Sequence, residues 1–119
     1  MIRLLTCLKR RPDVSLEEFR EYWHDERFDA LIGQFAEFTR AERYAKNLTL
    51  TVEANQLMMQ DRGLAEPFDG ILEYWWHDAH NFEAMYNSER RQILTVDMQD
   101  FQANFVDFHS SVSFFTESD

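Results

Sequence analysis

The sequence predicts an α+β fold, a single antiparallel sheet built in the order β-α-β-β-α-β. Two observations carry the expectation. Apolar runs of strand length stand at the start, the middle and the end of the chain, at Ile2 to Arg10, Phe68 to His77 and Ser110 to Ser118. Between them lie stripes of helical period, two of which open on a serine placed to cap them, Ser15 and Ser88. The length of 119 residues, with 3 glycines and 2 prolines, fits one domain spanning residues 1–119 with little room for long loops.

"IRLLTCLKR" (residues 2–10) alternates weakly and reads as a strand buried on both faces. "RPDVS" is a turn. Ser15 and Glu18 form a capping box, and Val14 and Phe19 are spaced as a hydrophobic staple, so a helix starts at Leu16. Leu16, Phe19, Tyr22 and Trp23 share one stripe, which Leu31, Phe35 and Phe38 continue after a distortion expected near Phe28-Asp29. From Arg40 to Val52, Tyr44, Leu48, Leu50 and Val52 alternate with polar residues, as in a half-exposed or edge strand. "EANQLMMQDRGLAEP" has no clear period and reads as a loop with a helical turn. Phe68 to His77 is the strongest strand. Asp78 is placed to cap a helix through Phe82, Met85 and Tyr86. Ser88-Glu89 opens another helix, with Leu94, Met98, Phe101 and Phe105 at helical spacing. A last strand closes the chain. This order is the ferredoxin-like split βαβ.

Composition narrows the function. Hydrophobic residues make up 45% and aromatic residues 15%, with 11 Phe, which suits a filled core or an apolar cavity. The formal charge of -10 repels phosphates, so neither nucleic acid nor an anionic membrane is an expected partner. No apolar run approaches the ~20 residues of a membrane helix. The basic residues of MIRLLTCLKRR follow the apolar run, the reverse of a secretory signal, which points to the cytoplasm. Cys7 stands alone, so no internal disulfide is expected. Asn47-Leu48-Thr49 matches a glycosylation sequon but carries no weight in a protein that is not secreted. There is no phosphate-binding glycine loop, nucleophile elbow or haem motif, and no cofactor is expected. With helices on one face of the sheet, and the first and third strands apolar on both, an identical subunit is the expected cover for the second face.

Three segments carry a family resemblance: "LKRRPDVSLEEFREYWHDERFDAL", "FDGILEYWWHDAHNFEAMYNSE" and "DMQDFQANFVDFHSSVSFFTES". Together with the element order they resemble the EthD family of the dimeric α+β barrel superfamily, over Met1 to about Glu117 apart from the stretch near Glu53 to Leu64. The resemblance implies a homodimer whose two sheets form a barrel, with a small hydrophobic molecule bound between each sheet and its own helices. It implies cofactor-free acid-base chemistry, dehydration or isomerisation, on an aromatic or carbonyl-bearing molecule, or support of an oxidation. The alternative is a non-enzymatic binding or accessory protein for a partner oxygenase. The family pattern sets a histidine four residues after the Tyr-Trp pair, and here Arg27 holds that position.

Several residues are candidates for the site. Tyr22, Trp23 and Trp75 are candidate substrate contacts; for Tyr22 and Trp23 the competing role is packing. His24, whose imidazole titrates near neutral pH, is a candidate acid or base, or else a surface histidine paired with Glu21 or Asp25. Arg27 offers a fork of donors for a carboxylate, phenolate or enolate, or a salt bridge to Glu26, Asp29 or a second subunit. Glu73 interrupts an apolar strand, so it faces solvent at a rim, pairs with an arginine such as Arg3, or serves as a pocket carboxylate. Met58 and Met59 suit an adaptable lid or simple packing. His77 and His80 lack further ligands at a suitable spacing, so no metal is expected.

Overall fold

The computed structural model describes residues 1–78 and 86–117. Its elements are β1 (Ile2–Leu8), α1 (Leu16–Trp23), α2 (Glu26–Thr39), β2 (Arg43–Leu48), α3 (Glu53–Arg62), β3 (Gly70–Trp76), α4 (Glu89–Gln102) and β4 (Val112–Glu117), with a short 3-10 turn at Phe108–Ser110. The strands form one antiparallel sheet in the order β2-β3-β1-β4. β3 therefore lies between β1 and β2, and the fold is the expected ferredoxin-like α+β arrangement.

The first helix begins as its sequence dictates. Ser15 accepts from the Glu18 amide at 3.1 Å, Glu18 reaches back to the Ser15 amide at 3.3 Å, and the staple residues Val14 and Phe19 are both buried. The expected distortion comes earlier than Phe28-Asp29, at His24-Asp25. Asp25 leaves the helical conformation (φ -67°, ψ 134°) and its carboxylate accepts from the Arg27 amide at 2.8 Å, capping a new helix. The break resets the helical phase. Phe28, Ile32, Ala36 and Thr39 become the buried stripe of α2, while Leu31 and Phe35 pack at its edge.

The segment read as a loop with a helical turn is instead the ten-residue α3. Its first residue follows Val52, which offers no side-chain cap, and none of its residues is buried. Gly63, in the left-handed region at φ 63°, ends it. An aperiodic helix that lies on the surface leaves no apolar stripe to read. The expected helix from Asp78 through Phe82 and Met85 falls largely outside the described residues. Ser88 caps α4 as expected, accepting from the Arg91 amide at 3.2 Å.

Strand register sorts the sheet into two faces. Leu4, Leu8, Lys46, Leu48, Leu72, Tyr74 and Trp76 face the helices. Arg3, Leu5, Cys7, Arg43, Ile71, Glu73, Trp75, Val112 and Phe114 lie on the other face. Above the first face, Phe19, Tyr22, Trp23, Phe28, Phe101 and Phe105 form one aromatic cluster. Tyr22 stacks on Phe105 at 5.2 Å between centroids, and Phe28 meets Phe101 at 5.5 Å. The Trp23 indole lies on the bare backbone of Gly70, where an added Cβ would overlap the ring.

Candidate functional site

The sequence candidates fall in three places. Tyr22, Trp23, His24 and Arg27 lie at the end of α1 and the start of α2. Trp23 is 1% exposed and wedged among Phe19, Phe28 and Gly70, a packing position. Tyr22 is half-buried between Phe105 and a shallow groove bordered by Glu18, Glu21 and Asp25. His24 ends α1 and is exposed. The Arg27 side chain is 71% exposed and pairs with Asp25 at 2.8 Å, while its guanidinium lies over the Phe101 ring at 5.2 Å. The hydrogen bonds from Arg27 hold the Asp25 carboxyl below the usual aspartate range, and Asp25 in turn raises Arg27.

Glu73 and Trp75 lie across the sheet, on the face that no helix among the described residues covers. Glu73 is near Arg3 at 3.9 Å, and Trp75 sits beneath Arg43 and Arg3, 4.0 and 5.9 Å from its ring centre. Burial, aided by Glu73, pushes the neighbouring Cys7 thiol up. Two buried polar atoms on this face, Arg3 Nε and Thr116 Oγ1, have no hydrogen-bond partner among the described residues. The sheet thus separates Glu73 from His24 and Arg27. Among the described residues no three His, Cys, Asp or Glu side chains come together as a metal site requires, and His80 lies outside them.

The third place is a cleft of about 400 Å³ at the other end of α1. There β1 and β2 end and β3 begins. Leu16, Phe19 and Arg20 of α1 form one wall, Leu48 to Val52 another, and Asn55, Gln56 and Met59 of α3 close the top. The remaining lining comes from Lys9, Arg10, Glu53, Glu66, Pro67 and Asp69. Asp69 accepts from the Arg10 amide at 2.7 Å, and Lys9 Nζ pairs with Glu66 at 3.4 Å. Arg20 Nη2 donates to Thr51 Oγ1 at 2.8 Å, and the Arg10 guanidinium donates to the Val14 carbonyl. Volume and mixed lining suit a small molecule.

The sequence reading missed this cleft except for Met59. The signal that could have found it was Leu16: it continues the apolar stripe one turn past Phe19, yet it is 44% exposed and borders the opening.

With this geometry in place, relatives can be compared. The EthD domain model matches residues 11–109. The chain belongs to the EthD family. Solved structures agree in fold. An ethyl tert-butyl ether d (EthD) family protein from Bacillus halodurans C-125 is 12% identical, with 100% of both chains covered and a TM-score of 0.59. A dimeric protein of unknown function and ferredoxin-like fold from Bacteroides fragilis NCTC 9343 is 13% identical over 98% of this chain and 95% of that one, at a TM-score of 0.62. A dimeric ferredoxin-like protein of unknown function from Thermobifida fusca YX is 11% identical over 98% and 90%, at 0.53. No curated protein sequence matches this EthD chain. No helix among the described residues is long and apolar enough to cross a membrane.

Proposed function

We propose that this EthD protein is a cytoplasmic homodimer that binds a small hydrophobic molecule in the cleft between α1, the end of β2 and α3, as a binding or accessory protein for a partner enzyme. The cleft itself carries the reading. Its apolar side chains Leu16, Phe19, Leu48, Leu50 and Met59 converge on a space of about 400 Å³, whereas the layer between α1, α2, α4 and the sheet is filled by stacked aromatic rings. The uncovered sheet face supports the dimer. It presents Leu5, Ile71, Trp75, Val112 and Phe114 together with the unpartnered Arg3 Nε and Thr116 Oγ1, and two of the structural relatives are described as dimeric.

The test is a fluorescence titration with a neutral probe, N-phenyl-1-naphthylamine. Binding that Leu48→Trp abolishes and Arg27→Leu leaves intact is the expected result. No binding, or binding indifferent to Leu48→Trp, overturns the cleft assignment.

A second reading keeps the catalytic roles of His24 and Arg27, which lie on one side of the sheet. What favours it is that Tyr22 and Asp25 border one groove and Asp25 holds Arg27 beside it at 2.8 Å. Cofactor-free proton transfer would then occur at that end of α1, with Tyr22 and Trp23 as substrate contacts and Arg27 holding an enolate. Glu73 and Trp75, across the sheet from that site, would take no part in the step. Loss of turnover in His24→Ala, with the fold and probe binding retained, would select this reading over the first.

A further inference from the structure

We infer that the cleft takes an amphiphilic carboxylic acid, its apolar body against Leu16, Phe19, Leu48 and Met59 and its carboxylate between the guanidinium groups of Arg10 and Arg20. The inference rests on the cleft reading above and adds to it the chemistry of the ligand's polar end.

Charge pairing carries the argument. The chain holds 22 acidic and 12 basic side chains, so a cation has carboxylates to choose from. Arg3, Lys9, Arg11, Arg27 and Lys46 each have one within ion-pair distance, whereas Arg40, Arg43, Arg62, Arg90 and Arg91, none of which borders the cleft, form no ion pair among the described residues. Arg10 and Arg20 both line the cleft, and neither forms an ion pair among the described residues. Arg20 donates to a neutral hydroxyl and Arg10 to a neutral carbonyl. An anionic acceptor offers the guanidinium groups of Arg10 and Arg20 a charge-assisted bond stronger than those to the neutral Val14 carbonyl and Thr51 hydroxyl.

The acids of the lining do not fill this role. Asp69 accepts the Arg10 backbone amide and lies 4.0 Å from Lys9, and Glu66 is held by Lys9. Glu53 opens α3 and is exposed. Their presence also sets the ligand's charge. Three carboxylates around one cleft repel a phosphate dianion, while a singly charged, planar carboxylate matches the guanidinium fork. The apolar residues on the opposite wall call for an acyl or aryl body rather than a sugar.

Calorimetric titration of the full-length protein with decanoate and with 1-decanol tests this. The two probes share an apolar body and differ in the head group. Decanoate should bind at least ~10-fold tighter than the alcohol, as a charge-assisted hydrogen bond supplies, and the preference should shrink as salt rises. Arg10→Gln and Arg20→Gln should each erase most of that preference by weakening decanoate far more than the alcohol. Arg20 is exposed and bonded only to Thr51, so its variant decides the matter should Arg10→Gln fail to fold. Equal binding of acid and alcohol overturns the carboxylate inference and leaves the cleft reading standing. Binding of neither overturns both. A preference that survives Arg20→Gln also overturns the inference.

Discussion

On the sheet face turned toward the helices, Leu8, Leu72, Tyr74 and Trp76 are at most 5% exposed; on the other face of the same two strands, Leu5, Ile71 and Glu73 are only half-buried. Both faces carry a tryptophan from β3, one residue apart. Trp76 is enclosed by neighbouring rings and donates its indole N–H to the Thr39 carbonyl at 2.9 Å. Trp75 is almost as well hidden, at 7% exposure, yet what lies over it is the flexible stems and guanidinium groups of Arg43 and Arg3. One protein therefore buries neighbouring indoles by two means. Packed helices bury the first, and movable cations over an aromatic face bury the second. The second is reversible, and a second subunit could displace or reuse it.

The largest expected effect comes from breaking the covered face. Phe28 is 0% exposed and touches Trp23, Phe101 and Phe105. Phe28→Ala should cost about 3–5 kcal/mol of folding stability, read by denaturant unfolding. A loss under ~1 kcal/mol would mean that the aromatic cluster is not the core.

The uncovered face should answer differently. Phe114→Asp should leave the circular dichroism spectrum unchanged and weaken self-association by about 2 kcal/mol or more, seen in sedimentation as a shift from dimer to monomer. Wild-type protein that sediments as a monomer at micromolar concentration would remove the basis for the dimer. A smaller effect isolates the cationic cover. In the monomeric Phe114→Asp background, Arg43→Ala should cost only about 0.5–1 kcal/mol, yet raise the acrylamide-quenched part of the tryptophan fluorescence, because Trp23 and Trp76 stay enclosed. Unchanged quenching would show that Arg43 does not shield Trp75.

The smallest effect lies at the rim of the helical layer. Asp25 is held below the ordinary carboxylate range by Arg27. Its contribution is thus complete above the unfolded-chain value of ~3.9 and is lost as pH falls through the lower folded value. Asp25→Asn keeps a capping side chain but loses the ion pair. It should be slightly less stable than the wild type at pH 7, with the gap closing in acid. A gap that widens in acid would reverse the assigned sign.

The sequence made the covered face legible and the rest less so. Ser15 and Glu18, Val14 and Phe19, and Ser88 act locally, within a turn of their own positions, and each behaves as its spacing predicts. A helix break was expected near Phe28-Asp29, but its position was not legible, because Asp25 caps α2 three residues earlier without any turn residue to mark it. α3 was missed for a related reason. A helix with no buried residue has no period to detect, and Val52 supplies no capping side chain. The cleft depends on residues 9–20 meeting residues 48–69, which no local pattern encodes. Glu73 illustrates the remaining ambiguity. Its spacing in β3 was compatible with three roles, and only the register with β1, which places Arg3 close by, brings one partner to it.

Gly70 offers no functional group, yet it acts as a spacer. The Trp23 ring rests on its backbone, Phe19 stacks on that ring at 5.6 Å, and Leu48 is paired beside it across the sheet. Phe19 and Leu48 are two walls of the cleft. The thinnest residue available thus fixes the height at which α1 rides above the sheet. Any side chain introduced there would lift that helix like a shim, so the calibre of the opening is set from beneath, by an atom that is not there.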